Sequence, residues 1–478
     1  MKFLFIIPNA LGKYPLPSTP HIGIAYVASL LRKNNHDINI VDMRINPDYG
    51  SLYKNINSFK PEIIGLTSMS KESKTAYKLI KDLKKRYPDI PIVIGGAHSA
   101  TMPEDILKET QADYILFGEA EHTALELVNK VPLEKIKGLI WHDKKTGSII
   151  KNHPREYIKN LDSLPFPAYD LFDMDKYLDK KIRIVTSRGC PYKCTFCSIH
   201  LVMGFEFRTR SPENVVDEIK HWYNKGYKEF QFTDDNLTQD MKRAETLFDK
   251  IIASNMKIRF DIRNGLRADK VNNSLLKKMK KAGCYFIAYA IESSDQEVLN
   301  KMKKGLTPAI TKNSVILTKR NGIQVGAFFI IGGLGDTFEK FRKSLAFAKS
   351  LPLDEVRFYN IVAYPGTELY EQVSSQGYLL KKPEEYMNEV GYWENDPIFE
   401  TPEFTKEERM KAYKLGEKYV MELLIKKEFG PVLGKIGYLI WKNEPLRKIT
   451  IRPGLKVWKL TRKIRQALRA VQAQYSEF

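Results

Sequence analysis

Over the first 140 residues, short runs that are apolar at nearly every position alternate with longer segments in which apolar residues return every three or four positions. Residues 3–7, 38–41, 63–67, 92–94 and 114–117 read as strands, and 23–32, 74–87 and 103–110 as helices. A strand covered on both faces leaves no position for a polar side chain, whereas a helix with one covered face does. The alternation therefore predicts a doubly wound parallel sheet over 1–140. It pauses over 141–180, where 138–141 and 148–150 predict a hairpin around Lys144, Lys145, Thr146 and Gly147. The Pro-rich run Leu164, Pro165, Phe166, Pro167 is expected to be extended, so this stretch reads as a connector.

The alternation resumes over 181–375, with strands expected at 182–186, 229–233, 258–262, 286–291, 326–331 and 355–361. Helices are expected at 212–224, 241–254, 273–282, 308–321 and 338–350, the first entered through Ser211 and Pro212, an N-cap followed by Pro at the first helical position. Six such units would make a partial (βα)6 barrel, the arrangement implied by the family resemblance described below. The last part, 376–478, is expected to be mainly helical and basic, with a polar loop at 393–404 and an amphipathic helix at 405–427 carrying Glu407 and Glu408 in its first turn. No repeat or low-complexity tract interrupts this plan.

Composition changes the picture in one respect. The 478 residues carry 77 Lys and Arg against 57 Asp and Glu, a net charge of +20, which favours acidic partners such as nucleic acid, anionic membrane or phosphorylated substrates without choosing among them. No apolar stretch reaches the roughly 18 residues of a membrane-spanning helix. The opening run 3–7 is too short for a secretion signal and no small-residue cleavage site follows it, so it reads as a first strand. In the tail, 431–469 interleaves aromatic and aliphatic residues with Lys and Arg, as in 436–442 and 455–465. That pattern fits peripheral contact with an anionic bilayer, with RNA binding and a helix packed on the barrel as rival readings.

The chemistry concentrates directly after the strand expected at 182–186. Cys190, Cys194 and Cys197, three of four cysteines, are spaced C-x3-C-x2-C in a loop bent by Gly189 and Pro191. Thiolates this close can converge on one metal centre, and iron–sulfur clusters are the usual group held by several of them. Three ligands leave one iron of a cubane open, which points to chemistry. A zinc site would want four N or S ligands, and His200 is the one nearby candidate for a fourth. Few cysteines and an oxygen-sensitive motif together place the chain in a reducing cytoplasm. Cys284, far from the loop, reads as a buried structural thiol.

Candidate ligand contacts lie where strands end, as in other open α/β sheets and barrels. In the first unit these are His21 and Gly23, Thr67 and Ser68, Gly95, Gly96 and His98, then Gly118 and Glu119. In the second they are Asp234, Asp235 and Asn236, the run 264–267, Glu292 and Ser293, Gly332 and Gly333, and 364–367.

The C-x3-C-aromatic-C signature, with Phe196 at the aromatic position, resembles that of the radical S-adenosylmethionine superfamily. The elements Gly95-Gly96-Ala97-His98 and Gly118-Glu119-Ala120-Glu121 upstream are similar to the cobalamin-binding domain that precedes many such barrels. The resemblance implies a [4Fe-4S] cluster on Cys190, Cys194 and Cys197. It implies S-adenosylmethionine contacts from Phe196, Asp234, Asp235, Glu292 and Ser293, and cobalamin contacts from His21, Gly23, Thr67, Ser68, Gly95, Gly96, His98, Gly118 and Glu119. Two departures stand out. The D-x-H-x-x-G motif that gives cobalt a histidine elsewhere is absent, and Ala290 and Ser294 replace the glycines of the usual G-I-E-S-G run.

By the same resemblance, an electron from the cluster, delivered by an external donor of flavodoxin or ferredoxin type, cleaves S-adenosylmethionine to a 5′-deoxyadenosyl radical. A second S-adenosylmethionine methylates reduced cobalamin. The implied activity is C-methylation of a lipid-like or other small molecule, with radical cyclisation or oxidation on the same scaffold as the alternative. RNA modification is a further alternative. Transfer-RNA methylthiolation would bring additional N-terminal cysteines, and none precedes Cys190.

Overall fold

The computed structural model describes residues 1–9, 17–143, 146–387 and 396–442. The first unit is one sheet of β1 (Lys2–Ile7), β2 (Asp37–Asp42), β3 (Ile63–Thr67), β4 (Ile92–Gly95), β5 (Tyr114–Leu116), β6 (Leu139–His142) and β7 (Ile149–Lys151), in the order β2-β1-β3-β4-β5-β6-β7. β1 to β5 are parallel; β6 and β7, the expected hairpin, run antiparallel and extend this sheet rather than standing apart from it.

The alternation of side chains along β1 shows why helices cover both faces. Phe3, Phe5 and Ile7 pack with Ala25, Ala28 and Leu31 of the helix Ile22–Lys33, while Leu4 and Ile6 pack with Leu79, Ile80 and Leu83 of Ser73–Arg86. The helix Tyr49–Phe59 was not anticipated. It is built from weak helix formers, buries only Leu52 and Ile56, and depends on Asp48 accepting from the backbone N–H groups of Gly50 and Ser51.

The second unit is a parallel sheet of β8 (Ile182–Ile184), β11 (Glu229–Phe232), β12 (Arg259–Leu266), β13 (Cys284–Glu292), β14 (Gln324–Ile331) and β15 (Glu355–Asn360), in the order β15-β14-β13-β12-β11-β8. Between β8 and β11 lies a two-strand antiparallel ladder, β9 (Ser187–Arg188) against β10 (Arg208–Thr209). The helices Pro212–Asn224, Met241–Ala253, Asn273–Lys281, Pro308–Arg320 and Phe338–Ser350 stand within a residue of expectation. One expectation needs correcting. Asn264, Gly265 and Leu266 do not follow the third barrel strand but belong to it, because β12 continues past an irregularity in its pairing with β13.

The sixth helical layer comes from the C-terminal part. Lys406–Lys442 is a helix interrupted at Gly430, and its Ala412 and Val420 join Phe341, Ala348, Val356 and Phe358 in the core. Among the described residues no helix is long and apolar enough to cross a membrane. The tail from residue 443 onward, with most of the expected membrane-contact segment, lies outside the described residues.

Candidate active site

The β9–β10 ladder closes the base of the cysteine loop, pairing Arg188 with Arg208 and Ser187 with Thr209. Gly189 enters the loop at φ 81°, and a Cβ there would stand 2.2 Å from the carbonyl oxygen of Glu206, so only glycine lets the two flanks close. The far side of the loop rests on the segment between Met302 and Gly305. Thr195 N–H donates to Met302 O at 3.1 Å, Cys194 Sγ lies 3.9 Å from Lys303 O, and Arg267 donates to Lys304 O at 2.7 Å. The Arg267 guanidinium also covers the ring of Tyr192 at 3.5 Å, tying the loop to the end of β12.

Burial raises the pKa of all three loop thiols, that of Cys197 to about 11, and at Cys194 and Cys197 the neighbouring thiols add to the effect. Protonated thiols need a positive centre before they become thiolates, and iron would supply one. Among the described residues no three His, Cys, Asp or Glu side chains gather tightly enough to grip a single metal ion. A cubane, in which each sulfur holds a different iron, takes a wider set. Cys284 is buried at the start of β13, apart from this loop.

Around the loop, the residues assigned by resemblance to S-adenosylmethionine divide. Asp234 Oδ1 accepts from Thr186 N, Thr186 Oγ1 and Ser187 Oγ at 3.0, 2.7 and 2.6 Å, which fixes the end of β8 to the end of β11. Its Oδ2 and the Oδ1 of Asn236 are buried with no partner. Asp235 accepts from Gly189 N–H at 3.1 Å, and burial pushes its pKa up to about 6. Phe196 packs against the apolar cluster of Met302, Val298 and Leu369. Glu292, at φ 66°, is instead paired with Lys304 at 2.7 Å, both side chains buried, and Ser293 Oγ caps the next turn by accepting from Asp295 N–H.

The residues assigned to cobalamin gather at the carboxyl ends of β1, β3, β4 and β5. Gly96, at φ 105°, lets the β4 turn lie against Thr67 and Ser68; a Cβ there would stand 2.6 Å from Ser68 O. His21 caps its helix by accepting from Ile24 N–H and lies 3.5 Å from Thr67 Oγ1. Burial, with Arg44 and Arg183 nearby, lowers its pKa to about 3. His98 is buried, bonded through Nε2 to Tyr77 OH at 2.7 Å, and its Nδ1 has no partner. Gly23 is exposed beside His21, and Gly118 has open space on its Cα. Glu119 departs from its assignment, since both carboxylate oxygens are occupied by Arg188, Arg208 and the backbone N–H of Ile158.

Burial lowers the pKa of His98 from 6.5 to about 4, so the folded chain holds a neutral imidazole that the unfolded chain would protonate. The stability this group contributes is present above pH 6.5 and lost as pH falls toward 4, with about 2 kcal/mol gone by pH 5. In urea unfolding of the metal-free protein, His98→Gln is expected to lose correspondingly less between pH 7 and pH 5. Equal losses in both proteins would refute the assignment.

The two strand-end regions meet. The helix Ile199–Met203, which starts two residues after Cys197, packs on Ala97–Thr101, which follows Gly96. Met102 lies in the same apolar cluster as Met302 and Phe196. Unpartnered buried polar atoms sit on both sides of this junction. Asp234 Oδ2 and Asn236 Oδ1 fit the hydroxyl and ammonium donors of a sulfonium nucleoside, while His98 Nδ1, Ser99 Oγ and Thr75 Oγ1 fit a large amide-bearing ligand. Sequence reasoning missed Arg188, Arg208, Met302 and Lys304. Only Arg188, adjacent to the cysteine motif, carried a local signal.

The B12 binding domain family matches residues 12–128 and the Radical SAM superfamily matches 184–348. The chain is 33% identical over 420 residues to an uncharacterized methyltransferase of Pyrococcus horikoshii, covering 85% of this chain and 90% of that one. It is 27% identical over 476 residues to the cytidylyl-2-hydroxyethylphosphonate methyltransferase of Streptomyces wedmorensis, covering 84% and 88%. Among solved structures, the cobalamin-dependent S-adenosylmethionine radical enzyme OxsB with aqua-cobalamin and S-adenosylmethionine bound has the same fold. Its TM-score is 0.74, over 96% of this chain and 75% of that one, at 18% identity.

Proposed function

We infer the reaction from the premise that this chain belongs to the family of cobalamin-dependent radical S-adenosylmethionine methyltransferases. The proposed reaction is transfer of a methyl group to an unactivated carbon of a small-molecule or lipid-like acceptor. When bound, the cluster and S-adenosylmethionine supply a radical able to take hydrogen from such a carbon, and cobalamin supplies the methyl group.

The chain's own residues have separable parts in this. Cys190, Cys194 and Cys197 hold the cluster, and Met302, Lys303 and Arg267 set where the loop lies. Phe196 and the free oxygens of Asp234 and Asn236 receive the nucleoside. Gly96, Thr67, Ser68 and His98 form the floor of the opposite wall. The observation that carries the reading is the junction itself. The cysteine loop and the β4 turn press together through Ile199–Met203 and Ala97–Thr101, with Met102, Phe196 and Met302 excluding water beside them. A methyl donor and a radical source acting on one carbon have to share such a space. The electron is proposed to come from an external low-potential donor, since the described chain offers no second cysteine cluster.

Product mass tests this. Reconstituted enzyme with S-adenosylmethionine, hydroxocobalamin and reductant is expected to add one CH2 to an acceptor drawn from a cell extract. Running the soluble fraction and extracted lipid in phosphatidylglycerol vesicles side by side separates the two acceptor classes. An acceptor that instead loses two hydrogens would replace methylation by cyclisation or oxidation, and failure to form 5′-deoxyadenosine with either fraction would sink both.

A further inference from the structure

Four charged side chains are buried together between the two units. Glu119 lies in the turn that leaves β5, Glu121 opens the helix Glu121–Val128 that follows it, and Arg188 and Arg208 face each other across the β9–β10 ladder, each with 7% or less of its side chain exposed. Arg188 reaches both acids, Glu119 at 2.8 Å and Glu121 at 2.7 Å, and Arg208 reaches Glu119 at 2.8 Å. Tyr26 covers the Arg188 guanidinium and Tyr157 that of Arg208.

The placement of the arginines matters more than the number of bonds. Arg188 immediately precedes Gly189 and Cys190. Arg208 donates from Nη2 to Met203 O at 2.9 Å, the end of the helix that begins just after Cys197. The two acids therefore hold both flanks of the cysteine loop. On their own side they follow Gly118, at the carboxyl end of β5, one of the strand ends assigned by resemblance to cobalamin. Burying two ion pairs is a poor way to gain stability, because desolvation offsets most of the attraction; what such a network does supply is one defined geometry.

We propose that Glu119 and Glu121 are positioning residues that couple the two cofactor sites: a ligand that fixes the β5 turn fixes Arg188 and Arg208, and through them the Cys190 and Met203 flanks of the cluster loop. The inference rests on the cofactor set of the family and not on the choice of acceptor. Coupling of this kind is reciprocal, so a formed cluster must tighten cobalamin binding by the factor with which cobalamin stabilises the cluster loop.

The test measures hydroxocobalamin affinity by equilibrium dialysis with the full chain, once iron–sulfur-loaded and once metal-free. In the wild type the loaded protein is expected to bind about tenfold more tightly. Glu119→Gln and Glu121→Gln, which keep size and lose charge, are expected to bring the ratio close to one while both cofactors still bind separately. Glu126→Gln, which removes a more exposed pair with Arg155 and does not touch the loop, should leave the ratio unchanged. Should Glu119→Gln fail to fold, Glu121→Gln, which loses a single contact, gives the answer. A wild-type ratio near one, or Gln variants that keep the wild-type ratio, would overturn the coupling. A wild type that takes up neither cofactor would sink the cofactor reading first and the coupling with it.

Discussion

Serine in place of Cys190, Cys194 or Cys197 is expected to abolish 5′-deoxyadenosine formation and to reduce bound iron from about four per chain to a small fraction of that. If the three thiols hold the cluster as the resemblance implies, each would serve a different iron, so none could cover for another. The same substitutions should leave the metal-free fold nearly intact, within about 1 kcal/mol. The bare thiols are only partly buried, and Cys190 and Cys194 make long contacts, 3.9 Å to Asn236 Nδ2 and to Lys303 O. Cys284→Ser makes the contrast, because that thiol is fully buried and lies apart from the loop. It should retain iron and turnover while losing stability. Iron analysis, anaerobic turnover and urea unfolding of the four variants decide the matter. Full iron and full turnover in any one of the three loop variants would remove that cysteine from the cluster.

Lys304→Met is expected to be among the costliest single changes to the fold near the site. Lys304 and Glu292 are each about 5% exposed and paired at 2.7 Å, so removing the ammonium leaves a buried carboxylate with no counter-ion, a loss of about 3–5 kcal/mol. Lys304→Met combined with Glu292→Gln removes the stranded charge and should recover most of that. Urea unfolding of the metal-free single and double variants measures both. Independent, additive losses would show that the pair is not the interaction the geometry describes. The same pair bears on ligand binding. If Glu292 reaches S-adenosylmethionine, as the family resemblance implies, Glu292→Gln must weaken its binding well beyond what Lys304→Met does.

Most of the fold could be read from the chain because the central strands of the first sheet are covered on both faces and barrel strands such as β11 and β15 keep one face buried throughout. The run 63–67 is buried at every position, 326–331 mixes buried with half-buried ones, and helices such as Pro212–Asn224 announce their starts through a cap and a proline. What escaped was held by few or distant contacts. Tyr49–Phe59 depends on one aspartate cap and two buried side chains, and the continuation of β12 past Ile262 depends on a partner strand whose register shifts. The site divides along the same line. Spacing within eight residues exposed the cysteine loop. The partners of Glu119, however, lie 69 and 89 residues further along, so that sequence position alone offered a ligand contact where the structure has an ionic network. Lys304 was hidden for a related reason. In a chain this basic, one more lysine beside Lys303 carries no mark of burial.

The helix Lys406–Lys442 has a further consequence. Its Ala412 and Val420 complete the apolar layer over Val356 and Phe358, so the last barrel strand stays uncovered on that face until the ribosome has released the chain beyond residue 420. The first sheet can settle before that point, but the barrel cannot. Its final closure therefore waits for a helix that follows all of the barrel's own strands in the chain.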